Sequence, residues 1–240
     1  MIMKEQPQKG EFYDELEVMP RQEKEEYINR RLQQQVQYAY DNAPAMRAKL
    51  DKAGVKPSDI RTVRDLGKIP ITTKDELIEL RRVDPPWGGL LAVPPEQIRK
   101  IYMSPGPIYD FQSLDDSFYH RLEKALYAGG FRAGDLIVNT TAYHMVPAGH
   151  WYDEAIRRLG AAVIPMGVGN TELQVQVLHD MPVTGWGGFT GFLANILSKA
   201  EEMGYDVRRD FKLRAAQAGG EMGGGPMRRM FEEKYGISTF

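Results

Sequence analysis

The 240-residue chain contains no cysteine, which excludes disulfides and thiolate zinc sites built by this chain. Charge of neither sign dominates. The 31 Lys and Arg stand against 33 Asp and Glu, a formal net charge of −2. Such a balance gives no general reason to expect nucleic acid or an anionic membrane as a partner. No apolar run approaches the roughly 20 residues of a membrane span. The opening MIMKEQPQKGEF lacks the apolar core of a secretion signal, so a cytoplasmic location is the expectation. Catalytic signatures are also missing. HEXXH, GxSxG and the GxxxxGK phosphate loop do not occur. His120, His144, His150 and His179 show no close ligand spacing, so no metal site made by this chain alone is expected. The basic pairs Arg30-Arg31, Arg81-Arg82, Arg157-Arg158, Arg208-Arg209 and Arg228-Arg229 read as solvated helix faces rather than a nucleic-acid footprint.

The content that remains is that of a globular protein, with 42% hydrophobic and 27% charged residues. The length suffices for one large domain or two small ones. Residues 1–19 read as an arm carrying the anchoring aromatics Phe12 and Tyr13. From Pro20 to Tyr40, Ile28, Leu32, Val36 and Ala39 recur at helical spacing, and Asn42 and Pro44 interrupt the pattern. Asp59 to Leu66 is a short turn-rich helical piece. Thr72-Thr73-Lys74-Asp75-Glu76 opens a helix to Arg82 with hydroxyl and acidic capping. Asp84 to Pro95 holds Pro85-Pro86, Gly88-Gly89 and Pro94-Pro95 and reads as a loop. Residues 1–95 are therefore expected to form a helical N-terminal segment and linker.

Residues 96–240 follow a different grammar. Strands are expected at Ile98–Met103, Asp135–Asn139, Ala161–Pro165, Val183–Trp186 and Leu213–Ala218, with another starting at Ile237. Helices are expected at Asp115–Gly129, Ala148–Leu159, Thr171–His179 (capped by Asn170 or Thr171) and Phe189–Met203. A further helix opens at Pro226. This alternation implies an α/β fold, a mostly parallel sheet with flanking helices.

Three places could carry chemistry. Gly219-Gly220-Glu221 follows a strand, offering bare backbone and one carboxylate where α/β proteins bind ligands. A strand-to-helix turn whose glycines serve geometry alone fits the same residues. Gly167-Val168-Gly169-Asn170-Thr171 could face an anion with its amides, although a plain capped connection is the favoured reading of these residues. Tyr143, His144, His150, Trp151 and Tyr152, with Trp186, Phe189 and Phe192, could wall a pocket for an aromatic acid, or be core.

Taken together, several stretches resemble the phenylacetate–coenzyme A ligase branch of the adenylate-forming (AMP-binding) ligases. They are LGAAVIPMGVGNTE from Leu159 to Glu172, Gly219-Gly220-Glu221 with its following helix, IPITTKDEL from Ile69 to Leu77, and VQYAYDNAPAMRAKLDKAG from Val36 to Gly54. The resemblance runs from about residue 10 to the end. It implies activation of an (aryl) carboxylic acid by ATP to an acyl adenylate, with Mg²⁺ accompanying the triphosphate, and transfer to coenzyme A. It implies that Gly219, Gly220 and Glu221 contact the adenine and ribose side of the nucleotide. Tyr143, His144, Trp186 and Phe189 would line the acyl pocket. The family's Ser/Thr/Gly-rich phosphate loop should follow the strand Ile98–Met103. Here the run is Met103-Ser-Pro-Gly-Pro-Ile-Tyr-Asp110, in which Ser104 and Gly106 are the counterparts, the lysine is gone, and Pro105 and Pro107 offer no N–H. The resemblance further implies a C-terminal portion with a catalytic lysine, beyond this sequence. Two readings follow: part of an acyl–coenzyme A ligase, inactive as an isolated chain, or a non-catalytic binding or interaction module. A complementary C-terminal half or self-association is the expected partnership.

Overall fold

The computed structural model describes residues 12–104, 106–113, 117–219 and 224–240. The chain divides into two compact units. Asp14–Asp115 form one, and Tyr13 joins the residues after Asp115 in the other. No described helix is long and apolar enough to cross a membrane.

In the first unit, α1 (Glu15–Val18), α2 (Arg21–Asn42), α3 (Pro44–Lys52) and α4 (Lys74–Val83) are joined by short helical turns at Pro57–Asp59 and Val63–Lys68. A third such turn, Pro95–Gln97, leads into the hairpin described below. Of the long α2 only Val36 is buried, and Ala43, Leu50 of α3, Ile60, Tyr102 and Ile108 are buried beyond it in the same unit. The hydroxyl-and-acid start expected for α4 is realised as a reciprocal cap. Thr73 Oγ1 accepts from the Glu76 amide at 3.2 Å while the Glu76 carboxylate accepts from the Thr73 amide at 2.9 Å. The strand expected at Ile98–Met103 forms at Lys100–Ser104 (β1), but outside the parallel sheet. It pairs antiparallel with β2 (Ile108–Gln112), placing Ser104 opposite Ile108 and Ile101 opposite Phe111.

The second unit is the expected α/β arrangement. Strands β3 (Leu136–Asn139), β4 (Ala162–Ile164), β5 (Gly185–Gly188), β6 (Ala215–Ala218) and β7 (Ser238–Thr239) make a sheet in the order β4-β3-β5-β6-β7. All its pairings are parallel. The connecting helices are α5 (Ser117–Ala128), α6 (Ala148–Arg158), α7 (Thr171–Asp180), α8 (Thr190–Glu202), α9 (Val207–Asp210) and α10 (Gly224–Met230), the last continuing as a wider turn at Phe231–Tyr235. Alternate residues of each strand face opposite layers. Ile137 and Ala215 pack with Leu126, Ala155 and Ile156 of α5 and α6. Val138, Trp186 and Ala216 pack with Val175, Leu193 and Ile196 of α7 and α8. Each Val, Leu or Ile side chain among them contributes about 1.5–3 kcal/mol by leaving water. At the opposite end from the strand tips, Asp135 is buried and accepts from Thr184 Oγ1 (2.7 Å) and Arg214 Nη2 (2.5 Å).

Candidate functional site

From β3 the chain crosses to β4 on one side, whereas β5 leads to β6 on the other. The crevice between the ends of β3 and β5 is therefore a switch point, where open α/β sheets bind ligands. Its floor is built by Asn139, fully buried at the last position of β3. The amide donates to Gly149 O at 3.0 Å and to Tyr143 OH at 2.8 Å. Its Oδ1 accepts from Thr141 Oγ1 at 2.7 Å and the Thr141 amide at 3.1 Å, and its backbone carbonyl accepts from Gly167 N at 3.0 Å. One side chain and its own backbone thus fasten the loop after β3, the start of α6 and the loop after β4. Gly149 allows this closeness, since a Cβ there would stand 2.5 Å from Ala142 O.

Tyr143 passes the network on, donating to Asp153 Oδ2 at 3.0 Å. Burial first, and then the Asp153 charge, raise its phenol above the ordinary tyrosine value. His150 Nε2 lies 2.7 Å from Tyr143 O; a carbonyl only accepts, so this nitrogen carries the proton. On the β5 side, Thr140 sends both its amide and its hydroxyl to Gly187 O, each at 2.8 Å. Gly219, first residue beyond β6, donates to Gly188 O at 3.2 Å.

The four residues expected to line an acyl pocket separate in place. Tyr143 belongs to the buried network. His144 is exposed, and Phe189, 45% exposed, opens α8. Trp186 is 0% exposed and packs in the core between the sheet and α7–α8. Exposed Met145 and Val168 join Phe189, so that the loops after the neighbouring strands β3, β4 and β5 all present apolar side chains. Among the nucleotide-side residues, Gly219 is exposed at the tip of β6, while Gly220 and Glu221 lie outside the described residues. The Gly167–Asn170 loop is held differently from expectation. Asn170 (φ 50°) makes no side-chain cap to α7; instead Gln174 Nε2 reaches back to Gly167 O and Gly169 O, each at 3.1 Å. Ser104 and Gly106 belong to the turn of the β1–β2 hairpin in the other unit, where Ser104 Oγ donates to Ile108 O at 3.3 Å. Among the described residues no group of three His, Cys, Asp or Glu side chains is placed to hold a metal.

No family model matches the chain. The phenylacetate–coenzyme A ligase of Pseudomonas putida is 30% identical over 215 residues, 87% of this chain and 48% of the relative. The enzyme of the same name from Escherichia coli (strain K12) is 32% identical over 216 residues, again 87% and 48%. Among solved structures, 2-hydroxyisobutyryl-CoA ligase in an open conformation, in complex with 2-HIB-AMP and CoA, superposes with a TM-score of 0.86 at 26% identity, covering 92% of this chain and 50% of that one. The fold is thus shared with an acyl-CoA ligase of the AMP-binding class over about half of that enzyme. Within that class, the chain belongs to the phenylacetate–coenzyme A ligase branch. It spans about half the length of the curated relatives it matches.

Proposed function

We propose that this chain provides the acid- and nucleotide-binding part of an acyl–coenzyme A ligase acting on a small, apolar, aryl-type carboxylic acid. In that reaction a carboxylate oxygen attacks the α-phosphorus of ATP, pyrophosphate leaves, and the thiolate of coenzyme A then displaces AMP from the acyl carbon. The observation that carries the reading is the crevice at the β3–β5 switch point in a chain about 30% identical to phenylacetate–coenzyme A ligases over 87% of its length. Phe189, Met145 and Val168 supply the apolar rim; Tyr143 and His144 supply the polar groups beside it. Gly219, Gly220 and Glu221 take the adenine and ribose side, and the Ser104–Gly106 turn the phosphates. Trp186 contributes from behind, as the packing that holds β5. Mg²⁺ would accompany the triphosphate and offset its charge, and no described side chain is assigned to it. We place the protein in the cytoplasm, where ATP and coenzyme A are available.

A second reading, a binding module without catalysis, is favoured by one feature. The turn that should cradle phosphates carries Pro105 and Pro107 and no lysine, so two potential amide donors are absent. By itself the 240-residue chain is expected to bind acyl adenylate and not to complete the ligation. Calorimetry with a non-hydrolysable aryl-acyl adenylate analogue, ATP and coenzyme A tests both readings. The analogue should bind, and Glu221→Ala should weaken it. ATP- and acid-dependent pyrophosphate release would select the catalytic reading; analogue binding without release, the module. Absence of analogue binding would refute both.

A further inference from the structure

The first unit carries an apolar groove that its own fold leaves open. It runs between α3 and α4 and encloses about 860 Å³; its walls include Ala45, Ala48 and Leu80, with Lys52, Val83 and Asp84 towards its ends. The two helices are antiparallel along it. At one end Lys49, near the close of α3, donates to Ile71 O, Thr72 Oγ1 and Glu76 Oε2 at 3.0, 2.6 and 3.2 Å, where α4 opens. At the other end Ala45 N donates to Gly89 O at 2.9 Å, just beyond the close of α4. Helix α4 has no buried residue, although Leu77, Ile78, Leu80 and Val83 are apolar.

Open apolar faces mark interaction sites on soluble proteins, and the two ends of this one say what fills it. Each end holds one protruding aliphatic side chain and one charge. Where α4 opens stand Ile71, 86% exposed, and Lys52; where it closes stand Val83, 69% exposed, and Asp84. Glu76 is paired with Lys49 and Glu79 with Arg82, and no ion pair among the described residues uses Lys52 or Asp84. Asp75 sits in the first turn of α4, where the helix N-terminus favours it. Turning one copy by half a revolution about the middle of the groove lays each end over the opposite end of the other. Ile71 then meets Val83, Lys52 meets Asp84, and the two α4 helices run antiparallel with opposed dipoles. The small side chains of Ala45 and Ala48 leave room for that approach. A face that complements itself in shape and sign under a two-fold rotation is an isologous interface. We propose that the α3–α4 groove is a self-association surface whose occupant is a second copy of this chain, with Lys52 of each subunit paired to Asp84 of the partner subunit.

Sedimentation equilibrium of the full 240-residue chain tests this, with Val83→Asp, Lys52→Asp, Asp84→Lys and the exchange that combines the last two. All three positions are exposed, so circular dichroism should match that of the unaltered chain. The unaltered chain should show a concentration-dependent monomer–dimer equilibrium. Val83→Asp carries a charge into the apolar seam twice and should weaken the dimer by roughly 30-fold or more. Each single charge reversal should weaken it by roughly ten-fold, and the exchange, which restores opposite signs, should recover most of that loss. A chain that stays monomeric at every concentration would overturn the proposal, leaving the groove to another partner. Dimers indifferent to Val83→Asp and to both reversals would overturn it too, since their interface lies elsewhere. An open series of higher species would do the same, because a two-fold interface closes at two. Reversals that weaken the dimer without recovery in the exchange would refute the pairing of Lys52 with Asp84, and with it the two-fold arrangement. Should Val83→Asp fail to fold, Ala48→Glu, at an exposed position on the opposite wall, asks the same question.

Discussion

Gly188→Ala is a sharp test of how the floor of the crevice is packed. A Cβ built at Gly188 would lie 2.0 Å from Thr140 Oγ1 and 2.6 Å from Trp186 Cη2. Neither neighbour is free to yield. Thr140 Oγ1 is bonded to Gly187 O at 2.8 Å, and Trp186 is 0% exposed. Overpacking of this kind costs about 1–3 kcal/mol, and two simultaneous clashes place the expectation in the upper half of that range. With a urea m-value of about 1–3 kcal/mol/M, the unfolding midpoint should fall by roughly 1 M or more. Thr140→Ala alone should cost about 1 kcal/mol or less, because Gly187 O keeps the Thr140 amide at 2.8 Å. The double variant is decisive. Removing Oγ1 relieves the 2.0 Å contact, so the two losses should fall short of their sum by about 1 kcal/mol. Urea unfolding followed by tryptophan fluorescence measures all three. Losses that add to within about 0.5 kcal/mol would show that Gly188 and Thr140 do not meet as described.

Two further predictions concern protons. Burial pushes the Glu123 carboxyl up, but hydrogen bonds from Tyr13 and Arg158, aided by the Arg158 charge, outweigh it and hold the group below its usual value. A depressed folded value stabilises above the unfolded carboxylate pKa of about 4.3 and is lost as pH falls through the folded one. Glu123→Gln should therefore flatten the acid limb of a stability–pH curve, and an unchanged limb would refute the assignment. Tyr143 is shifted the other way, by burial first and then by Asp153. Its stabilisation is present below pH ~10 and is lost as pH rises towards the folded value. In the native protein at about one unit above the ordinary tyrosine pKa of ~10, Tyr143→Phe should remove no phenolate absorbance; loss of one phenolate would contradict the network.

Much of the α/β unit was legible because its apolar runs and glycine punctuation recur with the regularity a parallel sheet requires. The expected strands and helices from Asp135 onward fall within a few residues of those observed. The hairpin was half legible. β1 carries an apolar run, but β2 follows Pro107 at once and its alternation, Tyr109-Asp110-Phe111-Gln112, is only four residues long, too short to announce a strand by itself. The side on which Trp186 faces was illegible for a related reason. Its strand neighbours Gly185, Gly187 and Gly188 have no side chains, so no period of two shows which way the indole points. Asn139 looked like the polar end of a strand. Its role as a hub depends on Gly149 and Gly167, ten and 28 residues away. Arg81 and Arg82 are adjacent in sequence but about 100° apart around a helix, and only the packed structure tells that Arg81 reaches the Tyr109 carbonyl while Arg82 stays with Glu79.

Tyr13 is bonded to Glu123 across 110 residues of sequence. The unit Asp14–Asp115 is thus an insertion in the other, with the chain crossing between them twice. During synthesis the inserted unit is made before the first strand of the parallel sheet, and Tyr13 has no Glu123 to bond until α5 follows it. Closing so long a loop adds little entropy beyond that of a much shorter one. The anchor at Tyr13 therefore closes on a helix that follows the whole insertion and precedes every strand of the parallel sheet.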